Sequence, residues 1–143
     1  MKEEKKVFRI VVIEDSEFFN SVLTRQLQNY ADALALERNC KFEIRSFTSP
    51  ADCIRNMNEE TDVAFVDFYL GNGITAVEML EKIKRKCKNC KVIVISQVRS
   101  MKTSIMTITK GALDFIFKDV NALARACFIV EELVNERLSF KNN

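Results

Sequence analysis

The chain has 143 residues, 48% of them apolar and 29% charged, which suits one folded domain large enough to bury a core without disulfide or metal staples. Its net charge of +2, from 22 basic and 20 acidic residues, gives no basic face of the kind that non-specific nucleic-acid binding needs. The longest unbroken apolar run, Ala126 to Val130, falls far short of the ~20 residues of a bilayer span, so no membrane helix is expected.

The opening stretch, Met1 to Lys6, is charged and leads into no long apolar segment, so no secretory signal is expected. Val7–Ile13 contains the run IVVI, the pattern of a strand buried on both faces. Phe19, Val22, Leu23, Leu27, Tyr30 and Leu34 recur at three- and four-residue spacing and predict a long first helix. Lys41–Phe47 alternates, with Phe42 and Ile44 against Glu43 and Arg45, as a half-covered edge strand does. Thr48-Ser49-Pro50 supplies a cap and a proline at the first helical position, and Ile54 and Met57 continue that helix. Val63–Val66 is a third strand, followed by a stripe of Ile74, Val77, Leu80, Ile83 and Cys87. Lys91–Ile95 is the fourth strand, followed by a stripe of Met101, Ile105 and Ile108 that ends at Gly111. Phe115–Phe117 is the fifth, and Leu123, Cys127, Val130 and Val134 mark a last helix reaching Arg137 before a polar tail. Strand followed by helix, five times over, predicts an α/β fold: a doubly wound parallel sheet with helices on both faces. No linker or repeat interrupts it, so 1–143 reads as a single domain with its core at about 7–138.

In open parallel sheets, sites form at the carboxyl ends of the strands. Glu14 and Asp15 follow the first strand, Asp67 the third, Ser96 the fourth and Lys118 the fifth. Taken singly, each is an ordinary turn or helix-cap residue. Together they are not, because packing does not call for three clustered carboxylates. At ~4 Å and an effective dielectric near 20, each like-charge pair costs on the order of 4 kcal/mol. A divalent cation relieves that repulsion, and an all-oxygen site with open positions suits Mg²⁺. The chain has no histidine, which excludes Ser-His-Asp and Cys-His catalysis and any His-ligated metal. Five cysteines, an odd number with no secretory signal, read as reduced thiols in the cytoplasm.

VVIED at 11–15, VDFYLGNG at 66–73, VIVIS at 92–96 and GALDFIFK at 111–118 resemble the signature positions of the response-regulator receiver family of two-component signalling. The resemblance runs from residue 7 to about 138 and touches all five strand ends. It implies a flavodoxin-like receiver fold with strand order 2-1-3-4-5 and a Mg²⁺ cofactor. By it, Asp67 is the phosphoaccepting aspartate, and Glu14 and Asp15 are the acidic pair that joins Asp67 in holding Mg²⁺. Tyr69 lends its backbone carbonyl to the metal. Ser96 is the hydroxyl that meets the phosphoryl group, Lys118 the lysine that pairs with it, and Phe115 the switch aromatic that follows Ser96. The implied function is a phosphorylation-controlled switch rather than an enzyme. It would be loaded by a histidine kinase or phosphotransfer protein and would act on a downstream protein target through the fourth helix, fifth strand and fifth helix. Homodimerisation on phosphorylation is a further option, and no nucleic-acid or membrane partner is expected.

The sequence departs from the family pattern at three places. Asp119 follows Lys118 where proline is common, so the Lys118–Asp119 peptide should be trans. Glu14 lengthens one arm of the acidic pair. Gly71-Asn72-Gly73 replaces a loop that often contains proline, and Ala76 replaces a common glycine. Two alternatives stand beside the switch. One is a pseudo-receiver that kept the fold as an interaction module without phosphotransfer. The other is a Mg²⁺-dependent phosphatase with an aspartate nucleophile, which needs a second Asp where Tyr69 stands. The remaining signals have plain readings. Cys87-Lys88-Asn89-Cys90 is a CxxC with no second pair to complete a zinc site. Cys53 and Cys127 lie on apolar helix faces, and the basic run Lys82 to Lys88 reads as a solvated helix face.

Overall fold

The computed structural model describes residues 4–139. Ten elements alternate: β1 (Val7–Ile13), α1 (Glu17–Arg38), β2 (Lys41–Phe47), α2 (Pro50–Asn56), β3 (Val63–Asp67), α3 (Ala76–Lys86), β4 (Lys91–Ser96), α4 (Met101–Thr109), β5 (Asp114–Phe117) and α5 (Ala122–Ser139). All strand pairings are parallel, in the order β2-β1-β3-β4-β5. This is the flavodoxin-like receiver arrangement, and β2, the strand with alternating residues, stands at one edge.

Period-two alternation divides the core. Val11, Ile13, Ala64, Val66, Val92 and Val94 face Cys53, Met57, Met79, Leu80 and Ile83 on α2, its C-cap and α3. Phe8, Ile10, Val12, Phe65, Ile93, Ile95 and Ile116 face Leu23, Leu27, Leu34, Cys127, Val130 and Val134 on α1 and α5. The continuous apolar runs of β1, β3 and β4 are therefore two interleaved sets, one for each layer. Serines open three helices: Ser16, Ser49 and Ser100 accept from the backbone N–H of Phe19, Asp52 and Thr103. No helix of the described residues is long and apolar enough to cross a membrane.

The stripe Met101, Ile105 and Ile108 forms a helix as expected, and it faces outward, at 80%, 58% and 43% exposure. The buried residue of α4 is Thr107, whose hydroxyl donates to the Ser104 carbonyl at 2.9 Å. Satisfying the hydroxyl within its own turn lets the threonine face pack inward and leaves the apolar stripe in solvent. One expectation needs correction: the basic run of α3 is only partly solvated. Lys84 Nζ donates to the Cys90 carbonyl and Lys86 Nζ to the Ile54 carbonyl, which ties α3 to the following turn and to α2. Cys53 and Cys127 are buried as expected, as are Cys87 and Cys90. Every described peptide bond is trans, including Lys118–Asp119.

Candidate functional site

Because the strands are parallel, the ends of β1, β3, β4 and β5 open on one rim. Glu14 extends the β1–β2 ladder by one step, its N–H donating to the Phe47 carbonyl at 3.0 Å. This register turns the Glu14 side chain inward, where the residue is 2% exposed, while Asp15 points to solvent. Asp67 is the last residue of β3 and its side chain is 11% exposed. One carboxylate oxygen from each of Glu14, Asp15 and Asp67 lies within 4.8 Å of the others. Lys118, just past β5, is fixed by its N–H donating to the Ser96 carbonyl at 2.8 Å. Its Nζ reaches the cluster, 2.5 Å from Glu14 Oε1 and 3.3 Å from Asp67 Oδ1, and sits 4.3 Å from the centre of the Phe19 ring.

One cation thus faces three acids. Burial, then the neighbouring Glu14 carboxyl, push the Asp67 carboxyl above the usual carboxylate range, and Lys118 pulls the other way. Burial, then Asp67, raise Asp15 as well. Glu14 Oε2 is buried without a hydrogen-bond partner. An orphaned buried acceptor costs about 1–3 kcal/mol, and this one belongs to an all-oxygen cluster. The residues therefore fit a hard divalent cation such as Mg²⁺.

The other expected residues surround this cluster without all facing it. Tyr69 lies two residues past Asp67, its side chain more than half exposed and its ring edge-on to Phe68. The loop then takes three successive left-handed residues, Gly71, Asn72 and Gly73. A Cβ at Gly71 would lie 3.6 Å from Asp15 Oδ2, so this loop passes beside the acids. Ser96 is fully buried, and its hydroxyl accepts from the Val98 N–H at 3.0 Å. Phe115 is half-buried against the α2/α3-side core and also lines a groove of about 330 Å³ with Arg99, Ser100, Met101, Ser104, Phe117 and Arg125.

Three contributors escaped the sequence reading. Phe19 lies under Lys118, as described. Asn20 is 6% exposed on α1, and its Nδ2 donates to the carbonyls of Glu14 at 3.1 Å and Phe47 at 2.9 Å. Thr24 Oγ1 donates to Asn20 Oδ1 at 3.3 Å. The signal for Asn20 was present: a polar residue in helical phase with Leu23, Leu27 and Leu34.

Residues 10–125 match the response regulator receiver domain family. No curated protein matches. Among solved structures the chain is similar to a CheY-like response regulator receiver domain protein from Methanospirillum hungatei JF-1, at 20% identity and TM-score 0.69, covering 95% of this chain and 99% of that one. It is also similar to the beryllofluoride-activated NtrC4 receiver domain dimer, at 22% identity and TM-score 0.70, covering 90% and 97%. A third is a response regulator from Burkholderia pseudomallei with a phosphorylated aspartic acid, a calcium ion and citrate, at 19% identity and TM-score 0.62, covering 87% and 71%. The family match spans most of the chain and the strand order agrees with it, so this protein belongs to the response regulator receiver family of two-component systems.

Proposed function

We propose that this chain is a phosphorylation-controlled switch in which Asp67 accepts a phosphoryl group from a partner histidine kinase or phosphotransfer protein. The observation that carries this reading is the gathering of Asp67 with two further carboxylates and the Lys118 ammonium at one end of the sheet. An Asp67 oxygen attacks the phosphorus of a phosphohistidine as the P–N bond breaks. This leaves an acyl phosphate on Asp67 and an imidazole on the donor. Lys118 pairs with the oxygens of the transferred group, and a rigid strand end holds the nucleophile in place. Glu14, Asp15 and Asp67 would hold Mg²⁺, with the Tyr69 backbone carbonyl as a further oxygen. When bound, the metal supplies charge neutralisation for the transferring oxygens. Tyr69 stands where an aspartate phosphatase needs its second carboxylate, which favours the switch over that enzyme.

The switch runs from Ser96 to Phe115. Ser96 turns its hydroxyl from Val98 toward the phosphoryl group, and Phe115 follows into the space vacated. The groove beside Phe115 and the outward apolar stripe of α4 support an output face built from α4, β5 and α5. The partners on this reading are a phosphohistidine donor and a downstream protein in the cytoplasm, with homodimerisation on phosphorylation as a further form of output. Acetyl phosphate with Mg²⁺ is expected to label the wild type and not Asp67→Ala. Equal labelling of the variant would remove Asp67 as the acceptor.

A further inference from the structure

We propose that Asn20 is the positioning residue of the acidic loop, clamping the backbone of Glu14 so that Glu14 and Asp15 stay beside Asp67 before any cation arrives. The inference rests on the reading of that cluster as a divalent-cation site and assigns a residue that touches neither metal nor phosphoryl group.

Asn20 is a polar residue where α1 otherwise presents Leu23, Leu27, Ala31 and Leu34 to the core. A buried amide is costly unless its hydrogen bonds are made, and asparagine is an indifferent helix former, so packing alone gives no reason for it. Its bonds go to one place. The two N–H groups of the amide reach the carbonyl of Glu14, just past β1, and that of Phe47, the last residue of β2. Phe47 also accepts the Glu14 N–H. Glu14 is therefore held at both of its backbone polar groups, from α1 on one side and β2 on the other. The Thr24 hydroxyl, one turn along the helix, fixes the amide oxygen and so the direction of the N–H pair.

The loop needs this restraint. Three carboxylates within 4.8 Å repel one another, and the direct ion pairs of Lys118 go to Glu14 and Asp67, with a weaker pull on Asp15. Asp15 is exposed, and Gly71 brings no side chain to bear on it. Apart from its side-chain contact with Asp67, its place is set by the backbone it shares with Glu14. Without the clamp the loop can relax away from Asp67, and an incoming cation must then draw it back at the expense of affinity.

The test compares wild type with Asn20→Leu, a variant of similar volume that lacks the donors. Thr24→Val removes only the orienting hydroxyl, and Leu34→Ala is a destabilising core change on the same helix, remote from the loop. Mg²⁺ affinity is read by calorimetry at a temperature where each protein is folded. Exchange of the Glu14 amide is read in the metal-free protein. Asn20→Leu is expected to weaken Mg²⁺ binding about tenfold and Thr24→Val less, in line with other outer-shell partners of metal ligands. In both, the Glu14 amide should exchange faster, while Leu34→Ala keeps wild-type affinity. Unchanged affinity in both Asn20→Leu and Thr24→Val overturns the proposal. So does an equal loss in Asn20→Leu and Leu34→Ala, which would make the effect one of stability. If Asn20→Leu does not fold, Thr24→Val alone decides by the same criteria. A wild type that binds no Mg²⁺ fails at the earlier step and removes the cation site together with its clamp.

Discussion

Replacing Asp67 by asparagine should stabilise the metal-free protein. The Glu14 and Asp67 oxygens lie within 4.8 Å, which at an effective dielectric near 20 is a repulsion of about 3.5 kcal/mol or more. Asp15 is exposed, so solvent screening reduces its part to about 1 kcal/mol. Against these, Lys118 at 3.3 Å attracts Asp67 by about 5 kcal/mol on the same scale, but that ammonium is shared with Glu14. The Coulomb contributions nearly cancel. What decides the balance is the cost of taking an ionised carboxylate with an 11% exposed side chain out of water, a few kcal/mol after relaxation. Asparagine avoids that cost at the same shape. The net gain should be about 2 kcal/mol, or roughly 5–8 °C in Tm for a domain of this size. The effect should depend on pH in a definite direction. The Asp67 carboxyl is raised in the folded state, so folding takes up protons there, and wild-type stability falls as pH rises from the usual carboxylate range upward. The advantage of Asp67→Asn should therefore be small near pH 4 and grow toward neutrality. Thermal melts in EDTA across that range measure it, and added Mg²⁺ should narrow the gap by stabilising only the wild type. An Asp67→Asn protein that melts at or below wild type in EDTA at pH 7.5 would refute the reasoning.

Lys118→Met removes the ammonium that sits over Phe19 and leaves Glu14 buried and uncompensated. Urea unfolding should show a loss of about 3–5 kcal/mol, and adding Glu14→Gln should recover most of it. Tyr30→Phe removes the hydroxyl that donates to Glu131 between α1 and α5, and should cost about 1.5 kcal/mol at neutral pH. That hydrogen bond, with burial, pushes the Tyr30 phenol up to about 12. Its stabilisation should hold below the ordinary tyrosine pKa of about 10 and fade as pH rises toward 12, so alkaline melts of wild type and Tyr30→Phe should converge there. Ile105→Ser, in the outward stripe of α4, should change stability by less than about 0.5 kcal/mol, and a core-sized loss in denaturant melts would mean that the stripe is packed.

The sheet was legible because burial on two faces leaves a plain mark: IVVI, VAFV and VIVI could be placed as central strands without knowing their partners. The rim followed from the strand ends, since parallel connectivity brings Glu14, Asp67, Ser96 and Lys118 together whatever the loops do. The burial of α4 was not legible. Periodicity shows that one face of a helix is apolar, not that the face meets the core, and a threonine can take the inward position when its hydroxyl is satisfied one turn back. Nor could the strand-end residues be told apart in sequence by what they touch. Ser96 faces the backbone of its own loop and Lys118 faces Glu14 as well as Asp67. Those engagements depend on rotamers, which no spacing encodes. Asn20 was visible as a polar break in an apolar phase, yet its two acceptors come from segments 6 and 27 residues away.

The two ends of the sheet use charge in opposite ways, and the contrast explains how the rim tolerates its repulsion. At the amino end, Asp62 accepts the Arg9 N–H at 2.7 Å and the Arg137 guanidinium at 2.9 Å, and Arg137 also donates to the Val7 carbonyl. Asp62 and Arg137 meet as opposite charges, and these contacts join the start of β1 and the segment before β3 to the end of α5. At the carboxyl end, like charges gather around one lysine and a buried oxygen has no donor. Between them lies a core in which Phe65, Ile93 and Ile116 are almost wholly buried. That core supplies the apolar burial that favours folding, and the clustered acids work against it. Their mutual repulsion also acts on what arrives. A cation that joins Glu14, Asp15 and Asp67 relieves it directly. Because three acids share one lysine there, a change of charge at the carboxyl end acts on an unbalanced cluster, which is what the proposed phosphorylation switch would use.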